Sequence, residues 1–185
     1  MDATPSNFDI SPIMYNSKNA EVSITPVKTE QDLNATTSLF KAYAHSLGID
    51  LTFQNFATEL STLPGKYSPS HNGALFLARL TSSGQAVGCV GLRAMPQPGT
   101  CEMKRLYVDP AGRGLGVGRK LAEVVISEAR KLGFRAVLLD TLPQMVEARG
   151  LYRSLGFAEV EAYYETPVEG TVFLRLDLKD DGRGA

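Results

Sequence analysis

The chain has 185 residues, of which 43% are hydrophobic and 21% are charged, and its formal net charge is −1. This composition is typical of one globular domain with an apolar core. The net charge argues against a nucleic-acid partner, because such proteins normally carry a basic excess. No apolar run is long enough to span a membrane, so no membrane partner is expected. Two cysteines, Cys89 and Cys101, and two isolated histidines favour a cytoplasmic protein with reduced thiols and no metal site.

Residues 1–20 are polar and show no hydrophobic period, so we predict a loose N-terminal extension there. They also lack the basic and apolar regions of a secretory signal. The structured domain is predicted to cover residues 21–179, with a flexible tail at 180–185.

In the first half of the domain, hydrophobic residues recur at helical spacing in some segments and alternate with polar residues in others. It predicts a strand at 21–27, a helix at 29–48 that stops at Gly48, a short helix at 53–60 and a loop at 66–73. Strand-like runs follow at 74–80, 86–95 and 101–108. Short turn-rich segments separate these three runs, which therefore predict an antiparallel meander.

The second half predicts a parallel unit. Apolar residues at helical spacing indicate a helix at 117–132, and a strongly apolar run at 134–142 indicates a strand that is buried on both faces. Thr141 and Gln144 have capping-box spacing, so we expect the next helix to begin there and to end near Gly156. A last strand is predicted at 171–178. Together these elements predict an α/β fold with one mixed sheet, antiparallel in its first half and parallel in a later βαβ unit.

A glycine-rich segment lies between the strand at 101–108 and the following helix. Its spacing excludes both the dinucleotide-binding fingerprint and the P-loop, and leaves the pattern R-x-x-G-x-G at Arg113, Gly116 and Gly118. Glycines allow successive N–H groups to converge on an anion, and the helix dipole attracts negative charge. The segment therefore predicts a phosphate site. A tight strand-to-helix loop without a ligand is the alternative.

The segment "RGLGVGRKL" after "LYVDP", followed by "LYRSLGF", resembles the GNAT superfamily of acyl-CoA-dependent N-acyltransferases. The resemblance covers about residues 73–178. It implies a single-domain fold whose central sheet splays to admit coenzyme A, with acetyl-CoA as co-substrate. The resemblance assigns the pyrophosphate to Arg113, Gly114, Leu115, Gly116, Val117, Gly118 and Arg119, and the pantetheine amides to Leu106, Tyr107 and Val108.

The resemblance also implies two catalytic residues. Tyr152 matches a tyrosine that protonates the leaving thiolate, and Glu102 matches a general base of some relatives. The alternatives are a packing role for Tyr152, and for Glu102 an exposed strand position or pairing with Lys104 or Arg105.

One position departs from the family pattern. Many relatives have an asparagine early in the last helix, where this chain has Met145. Asp140 and Thr141 lie where the sheet is expected to open. They are candidates to face the acceptor, although Thr141 is also expected to cap the helix.

In such folds the acceptor is bound by the first helices and a late hairpin. The substrate residues predicted here are Phe53, Tyr67, Asp140 and Tyr164, with core packing as the alternative. Aromatic groups with few basic residues favour a small primary amine, such as an amine or an amino acid. Protein or peptide acetylation and a non-catalytic acyl-CoA-binding module are the alternatives, and a homodimer is left open.

Overall fold

Seven strands form one mixed sheet in the computed structural model, which describes residues 21–178. The strands are β1 (Val22–Pro26), β2 (Ala74–Leu80), β3 (Ala86–Ala94), β4 (Thr100–Val108), β5 (Ala136–Thr141), β6 (Ala158–Val160) and β7 (Val172–Asp177). The helices are α1 (Glu30–Leu47), α2 (Phe56–Ser61), α3 (Val117–Lys131) and α4 (Val146–Ser154). The extension and the tail predicted at 1–20 and 180–185 lie outside the described residues.

The strand order is β1-β2-β3-β4-β5-β7-β6, and among the strand pairs within residues 21–178 only β4 and β5 are parallel. The predicted meander and the predicted parallel βαβ unit are therefore confirmed. The sequence prediction missed the three-residue strand β6. It also did not foresee that β7 lies between β5 and β6.

Two apolar clusters flank the sheet because its central strands bury both faces. On one face, Leu121 and Val125 of α3 pack with Tyr152 of α4. On the other face, Leu39 and Phe40 of α1 form the smaller cluster, which includes one of the two free, buried cysteines. Within residues 21–178, no helix combines the length and the apolar character needed to cross a membrane.

The sheet opens between β4 and β5. Their pairing is confined to Thr100↔Ala136, Cys101↔Val137 and Glu102↔Leu138, although both strands continue beyond it. On its other side β4 carries a bulge, in which two residues lie opposite Val90. The first of them, Arg105, has a φ of 58°. Bulges bend a strand and re-aim its side chains, and this one lies beside the opening.

The helix ends are set by local hydrogen bonds. The side chain of Thr29 accepts from Asp32 N–H and forms a capping box at the start of α1, and Gly48 ends that helix with a φ of 63°. The capping box predicted at Thr141 and Gln144 is wrong, because α4 begins at Val146. Thr141 instead pairs with Val172 as the last residue of β5, so strand pairing takes its backbone.

Candidate active site

The glycine segment opens α3 with unpaired backbone donors. Gly114 and Gly116 have φ values of 76° and 69°, and Gly116 is the N-cap, without a side-chain cap hydrogen bond. The N–H groups from Gly114 to Arg119 donate to no other group within residues 21–178. Unpaired donors at a helix N-terminus are the physical basis of anion binding. The segment therefore fits a diphosphate.

The side chains of this segment have other partners. Val117 is buried in the core, and Leu115 packs against it. Arg119 donates to Ser154 Oγ at 2.6 Å and lies 3.6 Å from Glu123, whereas Arg113 is exposed. The loop therefore offers mainly backbone N–H groups, with Arg113 at its rim.

A narrow cleft lies where β4 and β5 separate. Residues of α1, β4, β5 and α4 meet around it. Its lining consists of Tyr43, Met103, Lys104, Arg105, Leu106, Asp140, Thr141, Met145 and Tyr152. The predicted acid Tyr152 and the predicted pantetheine contact Leu106 therefore share one cleft with Asp140.

Tyr152 is buried, with 6% of its surface exposed, and its ring packs edge-on against Phe157 at 5.7 Å. Its hydroxyl makes no hydrogen bond to another residue of the described chain, although its side chain lines the cleft. Burial raises the pKa of Tyr152 above its ordinary value, and the nearby Tyr43 and Asp140 raise it further. The hydroxyl therefore keeps its proton at neutral pH and is available to donate it.

Glu102 is fully buried on β4, so the exposed position considered for it is wrong. Its Oε2 accepts from Arg93 Nε at 2.7 Å, and its Oε1 accepts from the Tyr163 hydroxyl at 2.8 Å. Lys104 Nζ lies 3.7 Å from Oε1, so the pairing considered with Lys104 is present. Glu102 is not among the residues that line the cleft.

An ion pair bridges the opening of the sheet. Lys104 Nζ on β4 donates to Asp140 Oδ1 on β5 at 2.7 Å. Burial alone would raise the pKa of Asp140, but the Lys104 ammonium outweighs it and lowers that pKa. A hydrogen bond from the Tyr164 hydroxyl lowers the pKa of Asp140 further. The Asp140 carboxylate is therefore ionised and held by groups on both sides of the opening.

Arg105, at the bulge, is fixed by hydrogen bonds and by contacts with aromatic rings. Nε and NH2 donate to the two carboxylate oxygens of Glu59 at 3.0 and 2.5 Å, and NH1 donates to Gln54 at 2.8 Å. The guanidinium also lies 5.0 Å from the Phe56 ring and 5.9 Å from the Tyr43 ring. Burial alone would raise the pKa of Glu59, but the bond from Arg105 lowers it. This ion pair fixes α2 over β4.

A second pocket adjoins the cleft and shares Tyr43, Arg105, Asp140, Thr141 and Met145 with it. The other lining residues are Leu47, Ile49, Leu51, Phe53, Gln54, Leu142, Tyr164, Thr166, Val168 and Thr171. Three of the four predicted substrate residues, Phe53, Asp140 and Tyr164, meet in this pocket.

The fourth predicted substrate residue, Tyr67, lies elsewhere. It packs edge-on against Phe40 at 6.0 Å, and its hydroxyl donates to Glu59 Oε1 at 2.6 Å. Tyr67 is 3% exposed and lines neither the cleft nor the adjoining pocket. Tyr67 therefore helps to hold Glu59 in its ion pair with Arg105.

Four cleft residues were missed as site candidates from the sequence, and these are Tyr43, Met103, Lys104 and Arg105. Tyr43 lies three positions after the buried Phe40 on α1, and this helical spacing was a usable signal. Arg105 follows Lys104 directly, which breaks the alternation of β4 and signals the bulge. Met145 lines the cleft where many relatives have asparagine, and its Sδ accepts from Thr141 Oγ1 at 3.7 Å.

Comparisons with known proteins identify the family and the fold of this chain. The family model described as "Acetyltransferase (GNAT) family" matches residues 38–157. An uncharacterized N-acetyltransferase of Schizosaccharomyces pombe is 42% identical over 87% of this chain and 98% of its own length. An uncharacterized N-acetyltransferase of Dictyostelium discoideum is 30% identical over 83% of this chain and 98% of its own length. A crystal structure of a GNAT-family acetyltransferase from Staphylococcus aureus has the same fold, with a TM-score of 0.70 and 21% identity over 85% of this chain and 99% of that one.

Proposed function

Because the chain belongs to the GNAT acetyltransferase family and is an acetyl-CoA-dependent N-acyltransferase, we propose that it acetylates a primary amine of a small molecule. The observation that carries this proposal is the junction of two cavities. The cleft at the sheet opening contains Tyr152, and the adjoining pocket shares five residues with that cleft. The proposed acid therefore lies where the cleft and the pocket join, which supports a reaction between acetyl donor and amine at this point.

The residues suited to hold acetyl-CoA are the unpaired N–H groups from Gly114 to Arg119 and the open edge of β4. The N–H groups bind the diphosphate, with Arg113 adding charge at the rim. Backbone groups of the β4 segment Leu106–Val108 pair with the pantetheine, because an open strand edge needs hydrogen-bond partners. Bound acetyl-CoA supplies a thioester that is open to direct attack by an amine.

Tyr152 is the proposed acid. Its raised pKa keeps the hydroxyl protonated, and its position on the cleft wall lets it donate to a departing thiolate. The edge-on contact with Phe157 fixes the direction of the ring. A positioned acid of this kind accelerates a reaction about 10²- to 10⁴-fold.

Glu102 is proposed as a positioning residue instead of the direct base. Its carboxylate binds Arg93 and Tyr163 and does not line the cleft. Through Lys104 it supports the ion pair to Asp140. We therefore propose that water in the cleft takes the proton from the amine.

The shape of the adjoining pocket supports a small acceptor. Its walls come from the end of α1, the segment at 49–54, the chain after β5 and the segment at 164–171. An acceptor that is surrounded by four separate segments fits as a compact molecule. An extended peptide needs an open groove.

A thiol-release assay tests the proposed function. Acetyl-CoA is supplied with a library of small primary amines, and free coenzyme A is measured with and without each amine. We expect amine-dependent release for compact primary amines. Release at the rate of uncatalysed acetyl-CoA hydrolysis throughout the library would contradict the proposal and favour an acyl-CoA-binding module.

A further inference from the structure

We propose that a cavity beside α2, separate from the cleft, binds a small dicarboxylate. The cavity has a volume of about 210 Å³, and its walls come from the segments at 54–59 and 62–67 and from Arg93 on β3. We call it the α2 cavity. It shares one lining residue, Gln54, with the pocket beside the cleft and none with the cleft itself. The proposal therefore concerns a second site and does not rest on the proposed function.

The size and the polarity of the α2 cavity define the kind of ligand that it fits. A water molecule occupies about 30 Å³ in the liquid, so the cavity has room for about seven non-hydrogen atoms. Amide, hydroxyl and charged side chains make up most of its wall, and no leucine, isoleucine or valine of the described chain contributes to it. Such a wall favours a small ligand with several polar groups.

The carboxylate in this wall already has its partners. Glu59 Oε1 accepts from the Tyr67 hydroxyl at 2.6 Å and from Arg105 Nε at 3.0 Å, and Arg105 NH2 donates to Oε2. Arg105 does not line the α2 cavity, so the charge of Glu59 is matched from outside it. A cationic ligand would have to replace one partner of this buried ion pair, and breaking such a pair is costly.

Arg93 supplies a cation with a free amino group. Its Nε donates to Glu102 Oε2 at 2.7 Å, and its NH2 lies 2.6 Å from the same oxygen. NH1 donates to no group within residues 21–178. The side chain is 27% exposed, and partial burial strengthens the attraction between a guanidinium and an anion. Arg93 thus has one amino group available for an anionic ligand.

Lys66 supplies a second cation. Its side chain is exposed and makes no ion pair with another residue in 21–178. A neutral donor lies in the same wall: Gln54 Oε1 accepts from Arg105 NH1 at 2.8 Å, so the amide nitrogen of Gln54 remains to donate. Among the described residues, the α2 cavity therefore presents two cations and no carboxylate that lacks a partner.

These groups favour a dicarboxylate over a phosphate. Arginine recognises phosphate best through two parallel N–H groups, but Glu102 occupies that edge of Arg93. The free NH1 of Arg93 and the Lys66 ammonium can each bind one carboxylate. Since the two cations come from different segments and line one cavity, a ligand with a carboxylate at each end fits both.

Isothermal titration with succinate tests the proposal. Succinamide is the matched ligand, because it has a similar size and no charge. Each ligand is titrated into the protein with and without saturating coenzyme A, which occupies the proposed diphosphate site. We expect succinate to bind one site per chain in both states, and succinamide not to bind. Equal binding of the two ligands, no binding of succinate, or loss of succinate binding in the presence of coenzyme A would overturn the proposal.

Inorganic phosphate tests the ligand class. With coenzyme A present, we expect phosphate to bind about tenfold more weakly than succinate, because it can reach only one amino group of Arg93. Phosphate that binds as tightly as succinate, or more tightly, would show that the α2 cavity does not select a dicarboxylate.

Lys66→Gln and Lys66→Glu locate the binding site. Lys66 is exposed, so both variants should fold. We expect the Kd for succinate to rise about fivefold in Lys66→Gln, the worth of one exposed ion pair, and further in Lys66→Glu. Lys41→Gln and Lys41→Glu on the exposed side of α1 are the matched controls and should keep the wild-type Kd. A Kd that is unchanged in both Lys66 variants, or that rises equally in the Lys41 variants, would overturn the assignment to the α2 cavity.

Discussion

At the residue scale, the charged side chains near the opening of the sheet form two separate sets of ion pairs. Arg93, Glu102, Lys104 and Asp140 form a chain of contacts across β3, β4 and β5. Arg105 and Glu59 form a separate pair. Buried ion pairs add little net stability, but removing one partner leaves a costly unpaired charge. These groups therefore fix the shape of the site more than they stabilise the fold.

Tyr152→Phe is expected to reduce kcat by about 10²- to 10⁴-fold, because it removes the proposed acid. The ring and its contact with Phe157 remain, so Tm and the shift caused by coenzyme A should change little. Single-turnover rates are the measurement, since slow product release would hide the defect in steady state. The loss should appear in kcat more than in KM.

Tyr67→Phe is the matched control for that experiment. It removes a hydroxyl that binds Glu59 away from the cleft, so it should lower stability more than it lowers kcat. Undiminished single-turnover acetylation in Tyr152→Phe would mean that Tyr152 has only a packing role in the core and is not the acid.

Glu102→Gln separates a positioning role from a base. Since Glu102 is buried against Arg93 and away from the cleft wall, we expect activity to fall by a similar factor at every pH. The fold should also lose about 3–5 kcal/mol, because a buried ion pair loses one charge. The kcat/KM profile between pH 6 and about 9 is the measurement. A defect that disappears at high pH would identify Glu102 as the base.

At the scale of elements, the opening between β4 and β5 and the start of α3 create the cofactor site. Pairing of β4 with β5 ends at Glu102, and unpaired N–H groups begin at Gly114. The glycine pattern predicted the second feature directly, because its spacing is local. The opening itself was expected only through the resemblance to a family.

Gly116→Val tests the glycine segment. Gly116 has a φ of 69°, and a side chain added there points into open space, so it would occupy the region of the bound diphosphate. Acetyl-CoA at 100 times its Kd should stabilise the wild type by about 2.7 kcal/mol. We expect the variant to lose most of this stabilisation, measured as a thermal shift.

Gly84→Val is the matched control, because Gly84 has a φ of 71°, is equally open and lies in the turn between β2 and β3. Both variants carry a similar backbone cost of about 1–2 kcal/mol. An equal loss of the acetyl-CoA shift in the two variants would contradict the proposed diphosphate site.

Strand and helix patterns in the sequence predicted β2, β3, β4 and α3 closely, because apolar periodicity is a local signal. The start of α4 was mispredicted because Thr141 can either cap a helix or pair within a strand. Its side chain fits a capping box, but pairing with Val172 of β7 satisfies its backbone. The competing partner lies 31 positions away, and no local pattern reveals it.

At the scale of the whole molecule, several carboxylates have lowered pKa values. Asp32, at the capping box of α1, has a pKa of about 2: burial would raise it, but bonds from Thr29 and Arg79 lower it. The pKa values of Glu59 and Asp140 are also lowered. These groups bind protons more weakly in the folded chain than in the unfolded chain. The contribution of these carboxylates to the free energy of unfolding is therefore complete above about pH 5. It is lost as the pH falls through their pKa values in the folded chain.

Urea unfolding at several pH values between 7 and about 3 should show this loss. Asp32→Asn should flatten the decline by about 1 kcal/mol, after allowance for solvent screening. Asp177→Asn, at an exposed position, is the control and should leave the slope near that of the wild type. A wild-type stability that is constant down to pH 3 would contradict the lowered pKa values.

The charge groups at the site could not be predicted from sequence alone. Lys104 and Asp140 are 36 positions apart, and Arg105 and Glu59 are 46 apart. Their contacts depend on strand order, on register and on the bulge in β4. The sequence indicated Asp140 and Tyr152 as candidates, but only the fold brings them into one cleft.

The central claim is that the enzyme acetylates a compact primary amine, and a competition experiment tests it most directly. Radiolabelled acetyl-CoA is given to the protein with an equimolar mixture of small primary amines and unstructured peptides, and the labelled products are separated by size. The account predicts that the label enters the small amines and requires the enzyme. Label that enters mainly the peptides, or that remains on acetyl-CoA, would contradict it.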